Sequence, residues 1–252
     1  MINRKRSDFI DHFWTLSEKP FSPNSIFSQK RKYKIKVSNP IVYTNSQYIM
    51  HELKNTDMFI SHISPLGNIT KNIIENIMST DSFIVEESLN LSEINTWLKL
   101  WDMDVGMLEY SNNILKYLST NDYYTVLVWY VDKIKQIEKE DFDKNEIVKN
   151  ILTEAIRNNN PDIIQYIAKE FGDNFSYLTD KISVIKSICE LAVMQNVNQD
   201  YCINVISYLD KYGFFSSILY PDKMLRMIYI LFEEMGHKQC ASIIHKYFQD
   251  SN

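Results

Sequence analysis

The sequence predicts a mainly α-helical protein: a solenoid of four to five helical hairpins behind a small, atypical N-terminal α+β region. Three observations carry that expectation. An apolar helical pattern recurs every 37 to 40 residues, with units opening near Ile74, Ile114, Ile151, Ile188 and Ile228. Each unit reads as an apolar helix, a polar Asn-rich break and a second apolar helix. Residues 1–70 depart from this pattern, with turn signals at Pro20, Pro23 and Asn39-Pro40 around a strictly alternating segment. A unit repeated at this interval cannot bury its apolar face alone, so neighbours stack, and such stacks usually present a surface to another molecule.

In chain order, residues 2–17 suggest a helix, with Ile2, Phe9, Ile10, Phe13, Trp14 and Leu16 on one face. Residues 29–37, QKRKYKIKV, alternate lysine with Tyr33, Ile35 and Val37, the pattern of a half-buried edge strand with its lysines outward. The following Ile41-Val42-Tyr43-Thr44 reads as a second strand, and Ser64-Pro65-Leu66-Gly67 closes the region. We therefore expect residues 1–70 to form a basic N-terminal helix plus a short β-hairpin-like cap, and residues 71–252 to form a helical-hairpin repeat domain, all helix from about residue 71.

The clearest unit is 151–172, ILTEAIRNNNPDIIQYIAKEFG. Leu152, Ala155 and Ile156 share a face, and Asn158–Asn160 interrupt it. Asn160 is placed to cap the second helix, with Pro161 at its first position and Asp162 answering the helix dipole. Gly172 closes it. Residues 188–213 repeat the scheme with a longer break and end on Gly213; residues 224–248 repeat it with Gly236 in the break.

Here the residues resemble a known family. The segment 155–168, AIRNNNPDIIQYIA, looks like the middle of an ankyrin repeat: a small residue, a polar break, an acid, two β-branched residues and an apolar helix end. The segment 205–213, VISYLDKYG, resembles the end of an ankyrin second helix with its closing glycine, and Ile243-Ile244 after Gly236-His237 echoes it. No unit carries the Thr-Pro-Leu-His opening, and the repeat exceeds the roughly 33 residues of that family. Degenerate stacks of this kind are similar to those of large DNA viruses, whose AT-rich genomes favour Ile, Asn, Lys and Tyr. The resemblance implies protein binding, often to a host factor, and brings no catalytic residues.

Composition narrows the function classes. Only five glycines are present, none clustered, so no Gly-rich phosphate cradle can form. No run approaches the roughly 18 apolar residues of a membrane span, and no signal peptide opens the chain. Cys189, Cys202 and Cys240 are widely spaced on apolar helical stretches, which suits reduced, buried thiols in a reducing compartment. The expected location is cytoplasmic, in a host cell's cytoplasm if the protein is viral, with nucleus or virion as alternatives.

Candidate chemistry is sparse. His237, Cys240 and His245, with Cys189 or Cys202 as a fourth ligand, are the best metal set, but only His237-x-x-Cys240 is a tight pair, so ordinary packing is preferred. A Cys202 nucleophile with His245 or His51 lacks a local signature. The acidic run Glu138, Glu140, Asp141, Asp143 and Glu146 is interleaved with Lys139 and Lys144 and reads as a solvated connection. Residues 1–40 carry a net charge of +6 on a chain of −5, leaving −11 for the rest. Within them Lys30, Arg31, Lys32, Lys34 and Lys36 form a basic segment that can contact phosphates or serve as a nuclear import signal. Trp97, Trp101, Tyr110, Tyr117, Tyr123, Tyr124, Trp129 and Tyr130 divide between inter-repeat core and exposed binding anchors. The expected function is a non-catalytic protein–protein interaction module, an adaptor or host-interaction factor. The alternatives are a structural component of a viral or other large assembly, and nucleic-acid binding through the basic segment. No enzyme activity, cofactor, metal, membrane or small-molecule substrate is expected.

Overall fold

The computed structural model describes residues 13–21, 26–28, 41–45, 48–65, 69–72, 77–80, 82–103, 105–137, 144–171, 181–194, 199–218 and 221–247. The described chain is mainly helical, with an antiparallel sheet in its N-terminal part. It divides into two compact units, Met1–Ile114 and Leu115–Asn252.

Among the described residues the first unit holds seven strands: β1 (Phe13–Ser17), β2 (Ile26–Ser28), β3 (Ile41–Asn45), β4 (Phe59–Pro65), β5 (Ile69–Asn72), β6 (Ile77–Thr80) and β7 (Ser82–Asn90). Their order is β2-β7-β4-β1-β3-β6-β5, and every recorded pair is antiparallel. The longest ladder joins β4 to β7, from Phe59 opposite Asn90 to Pro65 opposite Phe83, with a bulge between His62 and Ile63. One apolar cluster collects Ile63, Phe83 and Val85 with Phe13, Phe21 and Met78. Trp14 is fully buried and its ring lies 5.0 Å from that of His62, its cross-strand partner. After β7, helix α1 (Ile94–Asp102) is anchored by Trp97, whose Nε1 donates to the Leu91 carbonyl at 2.7 Å.

Three expectations are corrected here. The helix drawn over 2–17 is strand where it is described: Phe13–Ser17 pairs with both β3 and β4. Phe13-Trp14-Thr15-Leu16 satisfies both periods, and β-favouring aromatic and branched residues with partners on either side select the strand. The domain drawn as helical from residue 71 begins instead with sheet, since β5, β6 and β7 run to Asn90. For the same reason the unit near Ile74 is not a helical hairpin; Ile74 itself lies outside the described residues, but strands flank it. The strand over 41–44 is present as β3, whereas the alternating segment 29–37 lies outside the described residues.

The boundary between units falls within α2 (Ser111–Thr120), which is followed by α3 (Tyr124–Ile137), α4 (Lys144–Arg157), α5 (Pro161–Phe171), α6 (Lys181–Val193), α7 (Gln199–Lys211), α8 (Pro221–Glu234) and α9 (Lys238–His245). Consecutive helices α4 and α5, and α8 and α9, pack as pairs. Across pairs, α4 meets α6, α6 meets α8, α5 meets α7 and α7 meets α9. The isoleucines opening the predicted units, Ile114, Ile151, Ile188 and Ile228, are all fully buried.

A single turn device punctuates the helices. Asp122 (φ 56°), Asn159 (φ 56°), Gly213 (φ 75°) and Gly236 (φ 80°) each stand two residues beyond a helix end in the left-handed region. In each case the next amide reaches back to close the last turn: Tyr123 to Leu118, Asn160 to Ala155, Phe214 to Leu209 and His237 to Phe232, at 2.8–3.0 Å. These are Schellman caps, which satisfy carbonyls that the helix end would leave bare. Asn and Gly tolerate that conformation best, which is why the predicted breaks fell on Asn-rich and Gly positions. Gly172 lies outside the described residues.

Candidate functional site

Side chains 32 to 36 positions apart bridge alternate helices of the second unit. Ser119 Oγ on α2 donates to the Ile151 carbonyl on α4 at 2.8 Å. Arg157 on α4 donates Nη1 to Glu154 at 2.8 Å and Nε to Glu190 on α6 at 2.6 Å. Lys135 on α3 pairs with Glu170 on α5. Asp210 on α7 accepts from Lys246 Nζ at 3.1 Å and from the Tyr247 hydroxyl. Burial and the neighbouring Asp210 charge push the Tyr247 phenol well above its ordinary range. Asn160 precedes the first residue of α5, as a cap should, and its carbonyl accepts the Ile164 amide. Its side chain does something the sequence did not suggest: Nδ2 donates to the buried Ser119 carbonyl in the last turn of α2, at 2.6 Å.

This scaffold leaves apolar side chains on the outside of two neighbouring helices. On α6, Ile182 (66% exposed) and Val193 (48%) stand three turns apart, with Met194 beyond them. On α8, Met227 (47%) and Ile230 (50%) lie one turn apart, with Met235 just past the helix end. Flanking these on α8 are exposed Lys223, Arg226, Glu233 and Glu234. The signal was present in KISVIKSICELAV, which is apolar around most of its circumference; a helix with that pattern asks for burial on more than one side.

The aromatics now separate. Trp97, Tyr117 and Tyr130 are buried core, whereas Tyr124 is 42% exposed, with its ring 6.0 Å from that of Tyr166. The Tyr166 hydroxyl is buried without a hydrogen-bond partner, and burial pushes its phenol far up.

The metal set does not converge. No group of three His, Cys, Asp or Glu side chains suited to a cation is present among the described residues. His245 stacks on Tyr229 at 5.1 Å, and His237 meets Phe232 edge-on at 5.9 Å. Nor does Cys202 meet a histidine: its partner is the thiol of Cys240. His51 instead faces Glu52, with Nδ1 2.9 Å from Oε1. A small cleft of about 180 Å³ opens beside the start of α9, lined by Ile203, Gly236, His237, Lys238, Gln239 and Cys240. Of the acidic run, Glu146 is an exposed residue in the first turn of α4; residues 138, 140, 141 and 143 lie outside the described residues. So do Lys30, Arg31, Lys32, Lys34 and Lys36. No helix among the described residues is long and apolar enough to cross a membrane.

Comparison with protein families, with curated proteins and with solved structures finds no match for the chain.

Proposed function

We propose that this protein is a non-catalytic interaction module whose helical part is an ankyrin-like solenoid that binds another protein. The observation that carries the reading is the set of exposed apolar side chains on adjacent helices, Ile182 and Val193 on α6 with Met227 and Ile230 on α8. Apolar side chains kept in water on rigid elements, edged by charge, are the usual chemistry of a protein-binding face. The alternation α4-α6-α8 and α5-α7-α9 supports the solenoid reading, because each helix pair touches its sequence neighbours, as stacked repeats do. An adaptor or host-interaction factor of a large DNA virus is the role that the sequence resemblance adds. A structural component of a large assembly is the second reading, and the same apolar residues favour it, since permanent interfaces are the more apolar ones.

The test is affinity purification of the tagged full chain from its native cells, with a nuclease-treated control, beside an Ile230→Asp, Met227→Asp variant. Stoichiometric proteins that survive nuclease and disappear with the variant support the reading, and their identity separates adaptor from assembly component. Recovery that collapses with nuclease moves function to the basic segment 30–36. Retention of every partner by the variant sinks the surface assigned here.

A further inference from the structure

Two of the three cysteines meet in the core. Cys202 on α7 and Cys240 on α9 are both fully buried, and their helices pack against each other. The thiols of Cys202 and Cys240 interact with each other. Cys240 is the third residue of α9. A place in the first turn of a helix favours negative charge on the Cys240 sulfur. The pair is therefore polarised. Interaction with Cys202 draws the Cys240 thiol down against the opposing effect of burial, while that interaction and burial push Cys202 up.

Access is polarised too. Cys240 lines the 180 Å³ cleft, and Cys202 does not. His237, whose buried Nδ1 has no hydrogen-bond partner, lines the same cleft and gives a small polar molecule a group to meet. Cys189, although half-exposed, is the less reactive thiol, because burial and the adjacent Glu190 charge both push it up.

We propose that Cys240 and Cys202 form a peroxide-responsive dithiol whose oxidation to a disulfide locks α7 to α9. The Cys240 thiolate attacks one oxygen of hydrogen peroxide; an S–O bond forms, the O–O bond breaks, and the departing hydroxide takes a proton to leave as water. The sulfur of Cys202 then attacks the resulting sulfenic sulfur. An S–S bond forms, the S–O bond breaks, and the hydroxide released takes the Cys202 proton as a second water. The two sulfurs supply the two electrons that reduce the peroxide, and a dithiol reductant reverses the step. The bond closes a chain segment that contains all of α8, so it ties the last helix pair to the pair before it. Loop closure of this length is expected to raise the thermal midpoint of the helical unit by roughly 5–10 °C.

The experiment treats the purified full chain with a modest excess of hydrogen peroxide, quenches with catalase, then denatures, alkylates and maps peptides by mass spectrometry. The expected product has lost two hydrogens, carries a Cys202–Cys240 cross-linked peptide and an alkylated Cys189, melts higher, and reverts with dithiothreitol. Cys189→Ser oxidises like the parent. Cys202→Ala halts at a Cys240 sulfenic acid that dimedone traps, and Cys240→Ala leaves Cys202 unoxidised. Three alkylated thiols after treatment, a Cys240 sulfinic acid in the parent, or cross-links between chains through Cys189 would each overturn the proposal. Mapping the parent decides the matter even if a buried-cysteine variant fails to fold.

Discussion

Replacing Asn160 with alanine isolates the contact that joins the start of α5 to the end of α2. The amide Nδ2 donates at 2.6 Å to the carbonyl of Ser119, a residue with no solvent exposure. That carbonyl sits in the last turn of α2, where helix geometry leaves acceptors without intrahelical donors. Truncation strands a buried acceptor, and the penalty for that is about 1–3 kcal/mol. With a central value of about 2 kcal/mol and a urea dependence of about 2.5 kcal/mol per molar, the midpoint falls by about 0.8 M. Asn160→Asp sharpens the test. The aspartate keeps the volume but, ionised, has no proton to donate and sets a charge against the carbonyl. Its folded-state pKa is thus raised, so its penalty is full above that pKa and shrinks as pH falls and the carboxyl can donate. Urea unfolding followed by helical circular dichroism at neutral and acidic pH measures both variants against the parent. A shift for Asn160→Ala within about 0.5 kcal/mol of zero, the range of ordinary surface substitutions, would refute the reasoning.

Other consequences are equally direct. Asn159→Gly should stabilise by about 1 kcal/mol in the same urea assay, because it relieves a left-handed backbone and removes a buried Oδ1 without a partner. Gly236→Ala should cost about 1 kcal/mol from backbone strain alone, since a Cβ there meets nothing within 4 Å; a larger loss of thermal midpoint would show that the turn packs more tightly than it does here. Asp122 has its carboxyl raised by burial and by Asp162, so its unfavourable contribution is full above the folded pKa and vanishes as pH falls below the unfolded one. Asp122→Asn should therefore gain stability at neutral pH and lose that advantage in acid, which a pH series of melts will reveal. Ile230→Asp should leave the unfolding free energy in the urea assay within about 0.5 kcal/mol of the parent, since its side chain is half in water, while abolishing partner capture in the affinity assay.

What could be read from the sequence depended on range. The helices from 111 onward were legible because two local signals agree: apolar spacing at three and four residues, and left-handed punctuation at Asn159, Gly213 and Gly236. Asp122 performs the same turn, but an aspartate signals it less loudly than glycine. Apart from β3, expected over residues 41–44, the sheet was not legible. Ser82-Phe83-Ile84-Val85 is a short apolar run that fits either period, and its strand character comes from pairing with β4, whose matched residues are about 20 to 30 positions away. Phe13–Leu16 fails for the same reason, being placed by partners at 44–45 and 59–63. No local window contains that information.

The site residues lie between these cases, and the reason is the spacing of the helices along the chain. Bridges between successive pairs link residues 32 apart for Ser119 and Ile151, 33 for Arg157 and Glu190, 35 for Lys135 and Glu170, and 36 for Asp210 and Lys246. Intervals of this length carry the chain from one helix to the next but one, which packs beside it. Cys202 and Cys240 are separated by 38 positions, close to that interval, and they too meet. Seen as isolated cysteines on apolar helices they read as inert packing; placed 38 positions apart on packed helices, they meet. The exposed face has no such rule behind it. Ile182 and Ile185 are alike in type and one turn apart, yet one is in water and the other in the core. Only the direction from which α8 and α4 approach α6 separates them, and that direction is a property of the assembled helices rather than of any one of them.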